Sequence, residues 1–391
     1  MKYNFDKVID RSGTSAEKVE GLKHIWGRTD LIPLWVADMD FATAPFVTDA
    51  IRKRCENEVL GYTGKPDSYY NAIINWVKQR YDLIVTKEVI NFVPGIVPGI
   101  GMAMNCFTQK GDKVVIQPPV YHPFAWVTTR NERTLVINPL RWENGMYRMD
   151  LDAFREQIKG CKLFILCNPH NPGGVVWTEA ELRAIADICY DEKVLVFSDE
   201  IHADLTLPPH THRPFATVSE KARMNSVTFM SPSKAFNMPG LSASHALIFN
   251  EDLRKRFRIY MDAGELDMGH VFAFLSVEAA YSHGTEWLDQ CLAYIQGNID
   301  FVDEFLKKHA PKIKAIRPEA SYLVWLDCRE LELSQKDLNE FFVDKAHLAL
   351  NDGEMFGKEG IGFMRLNVAS PRCIIEKAMK QLADAYQLYI K

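Results

Sequence analysis

Between residues 46 and 285, the chain alternates short apolar runs with amphipathic stretches of helical period. Each run is apolar throughout, which is typical of strands that are buried on both faces of a parallel sheet. Ligand sites in such sheets lie at the carboxyl ends of the strands. The pattern therefore predicts an α/β fold with a mostly parallel sheet between helices. The predicted strands are residues 112–117, 134–139, 161–167, 194–199, 226–230 and 243–249.

A helix is predicted over residues 178–192. Thr178 is followed three residues later by Glu181, which is the spacing of a capping box at a helix start. Leu182, Ile185 and Cys189 then recur at helical spacing. The segment is expected to cover one face of the sheet.

A smaller unit is predicted outside the alternating region. Residues 286–308 carry one apolar stripe and are predicted to form a long helix that links the two units. The large domain is expected over 46–285, and a smaller α+β domain is expected to combine residues 1–45 with 286–391. The smaller domain is predicted to contain strands over 321–327 and 362–368 and a closing helix over 371–388.

Composition argues against several kinds of partner. The chain has a net charge of −5, whereas nucleic-acid-binding chains typically carry an excess of basic residues. No apolar stretch approaches the ~18 residues of a membrane span, and the segment MKYNFDKVIDRSG does not resemble a signal peptide. We therefore expect a cytoplasmic protein that binds neither nucleic acid nor a membrane.

No metal site is expected. The eight cysteines are scattered without a Cys-x-x-Cys pair. His202, His210 and His212 are close in sequence, but their spacing does not match a compact ligand set. Surface positions are favoured for these histidines, although His202 is also a candidate to contact a ligand beside Asp199.

Lys234 lies in the segment SPSKAFN, directly after the predicted strand over 226–230. Ser231 and Ser233 place hydroxyl groups beside it that can donate to a phosphate. At the end of a buried strand, desolvation and a nearby cation lower the pKa of an amine and make it a better nucleophile. Such a lysine can form a Schiff base with an aldehyde and can later remove a proton as a general base.

Asp199 ends the predicted strand over 194–199 and complements Lys234. A pyridoxal 5'-phosphate (PLP) cofactor needs an amine for its aldehyde and a carboxylate that keeps its pyridine nitrogen protonated. A carboxylate at a strand end also fits a helix cap or an ion pair. The prediction of a PLP site therefore depends on the combination of segments and their order.

The segment PGIVPG (94–99) resembles a tight turn that opens a helix. The free N–H groups at such a helix start, here those of Ile96 and Val97, can bind a phosphate. Taken alone, a simple strand-to-helix turn fits this segment equally well. Neither a Walker A pattern nor G-x-G-x-x-G is present, which argues against a nucleotide site.

Two further residues are candidates for ligand contact. Tyr121, in PPVYHPF, is an aromatic residue in a proline-rich turn, where its ring can stack on a flat cofactor or pack in the core. Arg365 lies inside an apolar strand, where an unpaired charge is costly. Its partner is expected to be an anion, with a substrate carboxylate and a structural Asp or Glu equally consistent with the sequence.

The segments together resemble those of fold type I PLP-dependent enzymes of the aminotransferase class I/II superfamily, over nearly the whole chain. The narrower resemblance is to the MalY/PatB-type C–S lyases, which are cystathionine β-lyases. It implies a large domain with a mostly parallel mixed sheet between helices and a smaller α+β domain. The matching segments are LWVADMDF (34–41), LGYTG (60–64), PGIVPGI (94–100), PPVYHPF (118–124), CNPHNPGG (167–174), SDEIHADL (198–205) and SPSKAFNMPGL (231–241).

The resemblance implies roles residue by residue. Lys234 would carry the Schiff base, Asp199 would pair with the pyridine nitrogen, and Tyr121 would stack on the ring. Arg365 would bind the α-carboxylate of the substrate. Independently of the resemblance, Asn171 and Ala37 are our next candidates for substrate binding. The other cofactor contacts would come from Asn171 to the 3'-oxygen, from Ile96, Val97, Ser231 and Ser233 to the phosphate, from His202 near the ring, and from Tyr62 of the neighbouring subunit of a homodimer.

The chain departs from the wider aminotransferase pattern at two positions. His202 stands where a tyrosine is common, three residues after the aspartate. Ser242 stands where a phosphate-binding arginine is common, eight residues after the lysine. These two departures concern the contacts to the phosphate and to the 3'-oxygen and leave Lys234 and Asp199 unaffected.

Three functions are consistent with these residues. The favoured one is a C–S β-lyase that releases pyruvate, ammonia and a thiol from cystathionine or a cysteine conjugate. An aminotransferase acting on an α-amino acid shares every cofactor contact, so only the narrower resemblance separates the two. A PLP-binding transcription regulator would need an N-terminal DNA-binding domain, and about 45 residues before the sheet leave little room for one.

Overall fold

The computed structural model describes residues 3–389. Its strands are β1 (Ile32–Pro33), β2 (Ile90–Val93), β3 (Lys113–Ile116), β4 (Thr134–Ile137), β5 (Arg141–Glu143), β6 (Met146–Arg148), β7 (Leu163–Cys167), β8 (Leu195–Asp199), β9 (Ser226–Met230), β10 (Ser244–Leu247), β11 (Lys314–Ile316), β12 (Leu323–Asp327), β13 (Leu348–Ala349), β14 (Asn351–Asp352) and β15 (Phe363–Asn367).

The α-helices cover both faces of the large sheet and the outside of the smaller one. They are α1 (Glu17–Trp26), α2 (Pro45–Cys55), α3 (Asp67–Tyr81), α4 (Ile96–Phe107), α5 (Pro123–Arg130), α6 (Leu151–Gln157), α7 (Glu179–Asp191), α8 (Glu220–Met224), α9 (Glu251–Ala263), α10 (Val271–His283), α11 (Thr285–His309), α12 (Gln335–Glu340) and α13 (Arg372–Tyr389).

The large sheet has seven strands in the order β2-β10-β9-β8-β7-β3-β4. All neighbouring pairs are parallel except those of β10, which runs antiparallel to β2 and to β9. Strands β7, β8 and β9 are central and almost wholly buried because helices cover both faces. The predicted mixed, mostly parallel sheet is confirmed, and the register pairs Cys167 with Asp199 at its carboxyl edge.

The capping box predicted at the start of α7 is present. The Thr178 side chain accepts a hydrogen bond from the backbone N–H of Glu181, whose carboxylate accepts one from the N–H of Thr178 at 2.8 Å. This reciprocal pair satisfies two free N–H groups at the helix start. Helix α7 then buries Leu182, Ile185 and Cys189 against the sheet, as their spacing predicts.

A four-stranded antiparallel sheet in the order β11-β12-β15-β14 follows the long helix α11. Strand β1 pairs in parallel with β13, so the N-terminal segment joins the C-terminal part of the chain. The domain boundaries given above remain a prediction, and their outer ends at residues 1 and 391 lie outside the described residues. No helix between residues 3 and 389 is long and apolar enough to cross a membrane.

Candidate functional site

A cavity of about 280 Å³ opens at the carboxyl ends of β7, β8 and β9. This is the edge at which the strand pattern predicts a ligand site. Most of the predicted site residues line it together: Ala37, Ile96, Val97, Tyr121, Asn171, Asp199, His202, Ser233 and Lys234. Segments separated by up to about 200 residues in sequence therefore meet in one pocket.

Lys234 projects into this cavity, and its amine donates a hydrogen bond to the backbone carbonyl of Ala37 at 2.5 Å. Burial lowers the pKa of this lysine to about 8, while the nearby carboxylates of Asp38 and Asp199 oppose the shift. The amine therefore loses its proton much closer to neutral pH than the amine of an exposed lysine does. A neutral amine is the form that acts as a nucleophile or as a base.

Asp199 is almost wholly buried, and its carboxylate accepts a hydrogen bond from the backbone N–H of Ile201 at 3.1 Å. Burial raises the pKa of Asp199 to about 7, and the neighbouring Glu200 adds to this shift. A buried carboxyl group that can charge near neutral pH is suited to a cationic ligand group.

Helix α4 begins at Ile96, directly after Gly95, so the predicted strand-to-helix turn is confirmed. Gly95 has φ +119°, a conformation that side-chain-bearing residues rarely adopt. No side chain caps this helix start, and Gly95, Ile96 and Val97 all line the cavity. The free N–H groups of the first turn thus face a place where an anion can bind.

The two serines of SPSKAFN occupy different positions. Ser233 lines the cavity, whereas Ser231 lies behind it. The Ser231 hydroxyl lies 2.8 Å from the Ser233 hydroxyl and 2.7 Å from the carbonyl of Ala243, and it accepts from the N–H of Ser233. Ser231 therefore orients Ser233, and Ser233 is the serine of the pair that is exposed to a ligand.

Arg365 is buried on β15 and donates to three neutral oxygens. Its guanidinium bonds the side-chain oxygens of Asn171 and Asn351 and the carbonyl of Trp35. Its Nε has no hydrogen-bond partner, and within residues 3–389 the guanidinium bonds no carboxylate. Burial lowers the pKa of Arg365 only to about 10, so the side chain remains charged. The sequence allows two kinds of anionic partner for Arg365, a structural Asp or Glu and a substrate carboxylate. No structural Asp or Glu is among the residues that its guanidinium bonds.

Tyr62 does not lie in the cavity of its own chain. Its side chain is 99% exposed, and nearby Val59 and Leu60 are also largely exposed at 72% and 60%. The placement of Tyr62 in a neighbouring subunit's site stays a prediction.

The prediction of surface positions for the histidines is wrong for two of the three. His202 lines the cavity, and burial lowers its pKa to about 3, so it is neutral there. His212 is buried against Glu200, with its Nε2 2.8 Å from the carboxylate. His210 is exposed. Throughout the described residues, no group of three or more His, Cys, Asp and Glu side chains is arranged to hold a metal ion.

Some cavity residues were not assigned a role from the sequence. They are Pro94, Gly95, Pro98, Cys167, Ile201, Pro239, Ser242, Ala243 and Ser244. The sequence carries a signal for several of them: Pro94, Gly95 and Pro98 lie in PGIVPG, and Cys167, Ile201 and Pro239 lie in other segments of the family resemblance. Ser242 stands eight residues after Lys234, where an arginine is common in the wider aminotransferase pattern, and Ser244 brings a second hydroxyl group. Both line the same cavity as Ser233.

The chain is similar to known proteins over nearly its whole length. The sequence model of "Aminotransferase class I and II" matches residues 29–382. The chain belongs to this family. It is similar to "Cystathionine beta-lyase PatB" of Bacillus subtilis (strain 168), with 38% identity over 98% of this chain and 99% of that relative.

Solved structures agree with this family assignment. Cystalysin from Treponema denticola, which contains pyridoxal 5'-phosphate, superimposes with a TM-score of 0.96 at 33% identity and full coverage of both chains. A PLP-bound putative aminotransferase from Clostridium difficile 630 has a TM-score of 0.96 at 40% identity over 98% of this chain and 100% of that chain. The predicted membership of the aminotransferase class I/II family and the fold type I architecture are both confirmed.

Proposed function

We propose that this member of the aminotransferase class I and II family is a PLP-dependent C–S β-lyase. It would cleave cystathionine or a cysteine conjugate by α,β-elimination, consuming water and releasing pyruvate, ammonia and a thiol. The observation that carries the proposal is the cavity, which combines a buried lysine and a buried aspartate. Arg365, which has no carboxylate partner, lies directly behind the cavity residue Asn171 and donates a hydrogen bond to its side chain. The relative named as a cystathionine β-lyase supports the lyase over other reactions of this family.

The cavity residues fit PLP chemically. The uncapped start of α4 and the hydroxyl of Ser233 suit a phosphate, and the buried Asp199 suits a protonated pyridine nitrogen. The partly neutral amine of Lys234 suits an aldehyde. When bound, the cofactor supplies the electron sink that weakens the bonds at the substrate Cα.

Side chains of the protein would bind the substrate, transfer its proton and contact the cofactor ring. Arg365 binds the α-carboxylate and fixes the orientation of the Cα–H bond. Lys234 takes the Cα proton as general base and returns it to the departing sulfur as general acid. Tyr121, which lines the cavity, would pack on the cofactor ring. Asn171 would contact the cofactor while accepting a hydrogen bond from Arg365.

The decisive assay is incubation with cystathionine and PLP, in which pyruvate and free thiol are measured. A lyase releases both without an added keto acid. An aminotransferase, the alternative left by the sequence, releases neither thiol nor pyruvate from this substrate and needs a keto acid for turnover. Turnover that depends wholly on the keto acid would overturn the lyase assignment.

We also propose that the enzyme is a cytoplasmic homodimer with shared active sites. The exposed Val59, Leu60 and Tyr62 need a partner surface, and the family resemblance implies that Tyr62 contacts the phosphate in the other subunit. Mixing inactive Lys234→Ala with inactive Tyr62→Ala subunits is expected to restore about one quarter of the wild-type sites, because half the dimers are mixed and each carries one intact site.

The control for this mixing experiment pairs Lys234→Ala with Asp199→Ala. Both residues come from the same chain in each site, so no mixed dimer contains an intact site and no activity is expected to return. Restoration in the control pair, or a monomeric active enzyme by sedimentation, would contradict the shared site.

Substitution of Arg365 tests the carboxylate site. Arg365→Lys keeps the positive charge but loses the fork of donors, so KM for cystathionine is expected to rise roughly tenfold or more. The visible absorbance of bound PLP should not change. Cystamine, which lacks the carboxylate, should be a poor substrate for wild type and should respond little to the substitution.

Arg372→Lys is the matched control, since Arg372 bonds Asn298 away from the cavity. It is expected to leave KM unchanged. If Arg365→Lys also leaves cystathionine kinetics intact, Arg365 has a structural role, and the N–H groups near Ala37 and Asn171 become the next candidates for the carboxylate.

A further inference from the structure

The segment formed by residues 35–39, here called the carbonyl segment, has an unusual set of contacts. Each of its five carbonyl groups accepts a hydrogen bond from a side chain in or beside the site. Arg365 donates to the carbonyl of Trp35, and Asn367 donates to the carbonyls of Val36 and Asp38. Lys234 and Tyr322 both donate to the carbonyl of Ala37, and Asn237 donates to that of Met39. The segment therefore connects the strand that carries Arg365 with the turn that carries Lys234.

The Ala37 carbonyl is the centre of this arrangement. It accepts from the Lys234 amine at 2.5 Å and from the Tyr322 hydroxyl at 2.9 Å. A neutral amine has one lone pair, and a hydrogen bond from one of its N–H groups limits the directions in which that lone pair points. The position of the Ala37 carbonyl thus determines where the base is aimed.

Tyr322 is suited to hold that carbonyl. Its side chain is fully buried beside β12, and burial keeps its pKa well above the ordinary value, so the hydroxyl remains a donor throughout the working pH range. Asn367 bonds the carbonyls on both sides of Ala37 at 2.7 Å. The peptide is therefore fixed from the small-sheet side at three consecutive carbonyls.

We propose that Tyr322 is a positioning residue for the proposed reaction: through the Ala37 carbonyl, it holds the Lys234 amine where it takes and returns the substrate proton. This inference rests on the proposed function for the identity of that proton. The placement of the amine itself can be tested without substrate or cofactor.

The first test uses the apoprotein and measures the pH dependence of Lys234 labelling by an amine-selective reagent, with peptide mass mapping. The protonated amine donates the stronger bond to Ala37, so a displaced carbonyl stabilises it less. In Tyr322→Phe, the labelling midpoint is expected to move about half a pH unit or more to lower pH. The charged and titratable groups that face Lys234 (Asp38, Asp199, His202 and Arg365) are untouched by this change.

The matched control is Tyr69→Phe. The Tyr69 hydroxyl is buried and has no hydrogen-bond partner, so its removal is the same chemical change without loss of a bond. No shift of the Lys234 midpoint is expected in this variant. A midpoint that stays or rises in Tyr322→Phe would overturn the proposal, because the hydroxyl would then only compete with the amine for the carbonyl.

The second test is steady-state kinetics of the PLP-loaded enzyme with cystathionine. Tyr322→Phe is expected to lower kcat about tenfold, the factor typical of one lost hydrogen bond, and to leave KM within about twofold because the Arg365 contacts remain. A rise in KM with unchanged kcat would place Tyr322 in substrate binding and contradict the proposal. If wild type lacks lyase activity, the proposed function fails, and the labelling result still decides the role of Tyr322.

Discussion

Lys234→Ala is expected to lower kcat for cystathionine by at least about 10⁴-fold, because it removes both the covalent attachment point and the general base. The protein should remain folded, since the loss of this side chain leaves the hydrogen bond from Tyr322 to Ala37 in place. Pyruvate release is the measurement. PLP should still bind to the variant, held by its phosphate and ring contacts.

Reductive labelling identifies the attachment site independently of turnover. Borohydride treatment of the wild-type PLP complex, followed by peptide mass mapping, is expected to place the pyridoxyl group on Lys234. Lys336→Ala, which removes a lysine that is 84% exposed, should label and turn over like wild type. A pyridoxyl group on any other lysine would show that the attachment site has been misassigned.

The sequence predicted the centre of the site because its chemistry is tied to strand ends. Lys234 and Asp199 follow apolar runs whose carboxyl ends meet at one edge of a parallel sheet, so the strand pattern already brings them together. The edge strand β2 (Ile90–Val93) was not predicted. It has only four residues (INFV), which is too short for hydrophobic periodicity to distinguish a strand from a loop.

Other features depend on contacts between distant residues, which periodicity does not encode. The burial of His212 follows from its bond to Glu200, twelve residues away and on another segment. The sequence left two partners open for Arg365, and only the folded chain shows three neutral oxygens around it. The carbonyl segment is a further case, since backbone carbonyls leave no signature in a sequence.

Asp199→Asn is expected to lower kcat by about 10³-fold, the size of effect that follows the loss of one partner of a buried ion pair. The carboxamide keeps the size of the side chain but cannot hold the pyridine nitrogen protonated, so the affinity for PLP should fall much less than kcat. Asp191→Asn, at a position whose side chain is 59% exposed, is the control and should behave as wild type. Near-normal turnover in Asp199→Asn would mean that a different residue faces the ring nitrogen.

The pH dependence of stability provides a second measurement on Asp199. In the folded apoprotein, burial raises the pKa of this carboxyl from its ordinary value of 3.8 to about 7. Between these values the folded state binds more protons than the unfolded state, so the contribution of Asp199 to the free energy of unfolding falls as pH rises from about 4 to about 7. Apoprotein carrying Asp199→Asn lacks this term and should gain stability relative to wild type between pH 5 and pH 8, measured by urea unfolding.

Bound PLP should reverse this relation. A protonated ring nitrogen opposite Asp199 would favour the charged carboxylate and remove the cost of its burial. In the PLP complex, the free energy of unfolding of wild type should therefore no longer fall below that of Asp199→Asn as pH rises. The difference in unfolding free energy between wild type and Asp199→Asn should then change sign between apoprotein and PLP complex at pH 8. The same sign in both states would place Asp199 away from the ring nitrogen, because only a cation beside this carboxylate inverts the effect of its burial.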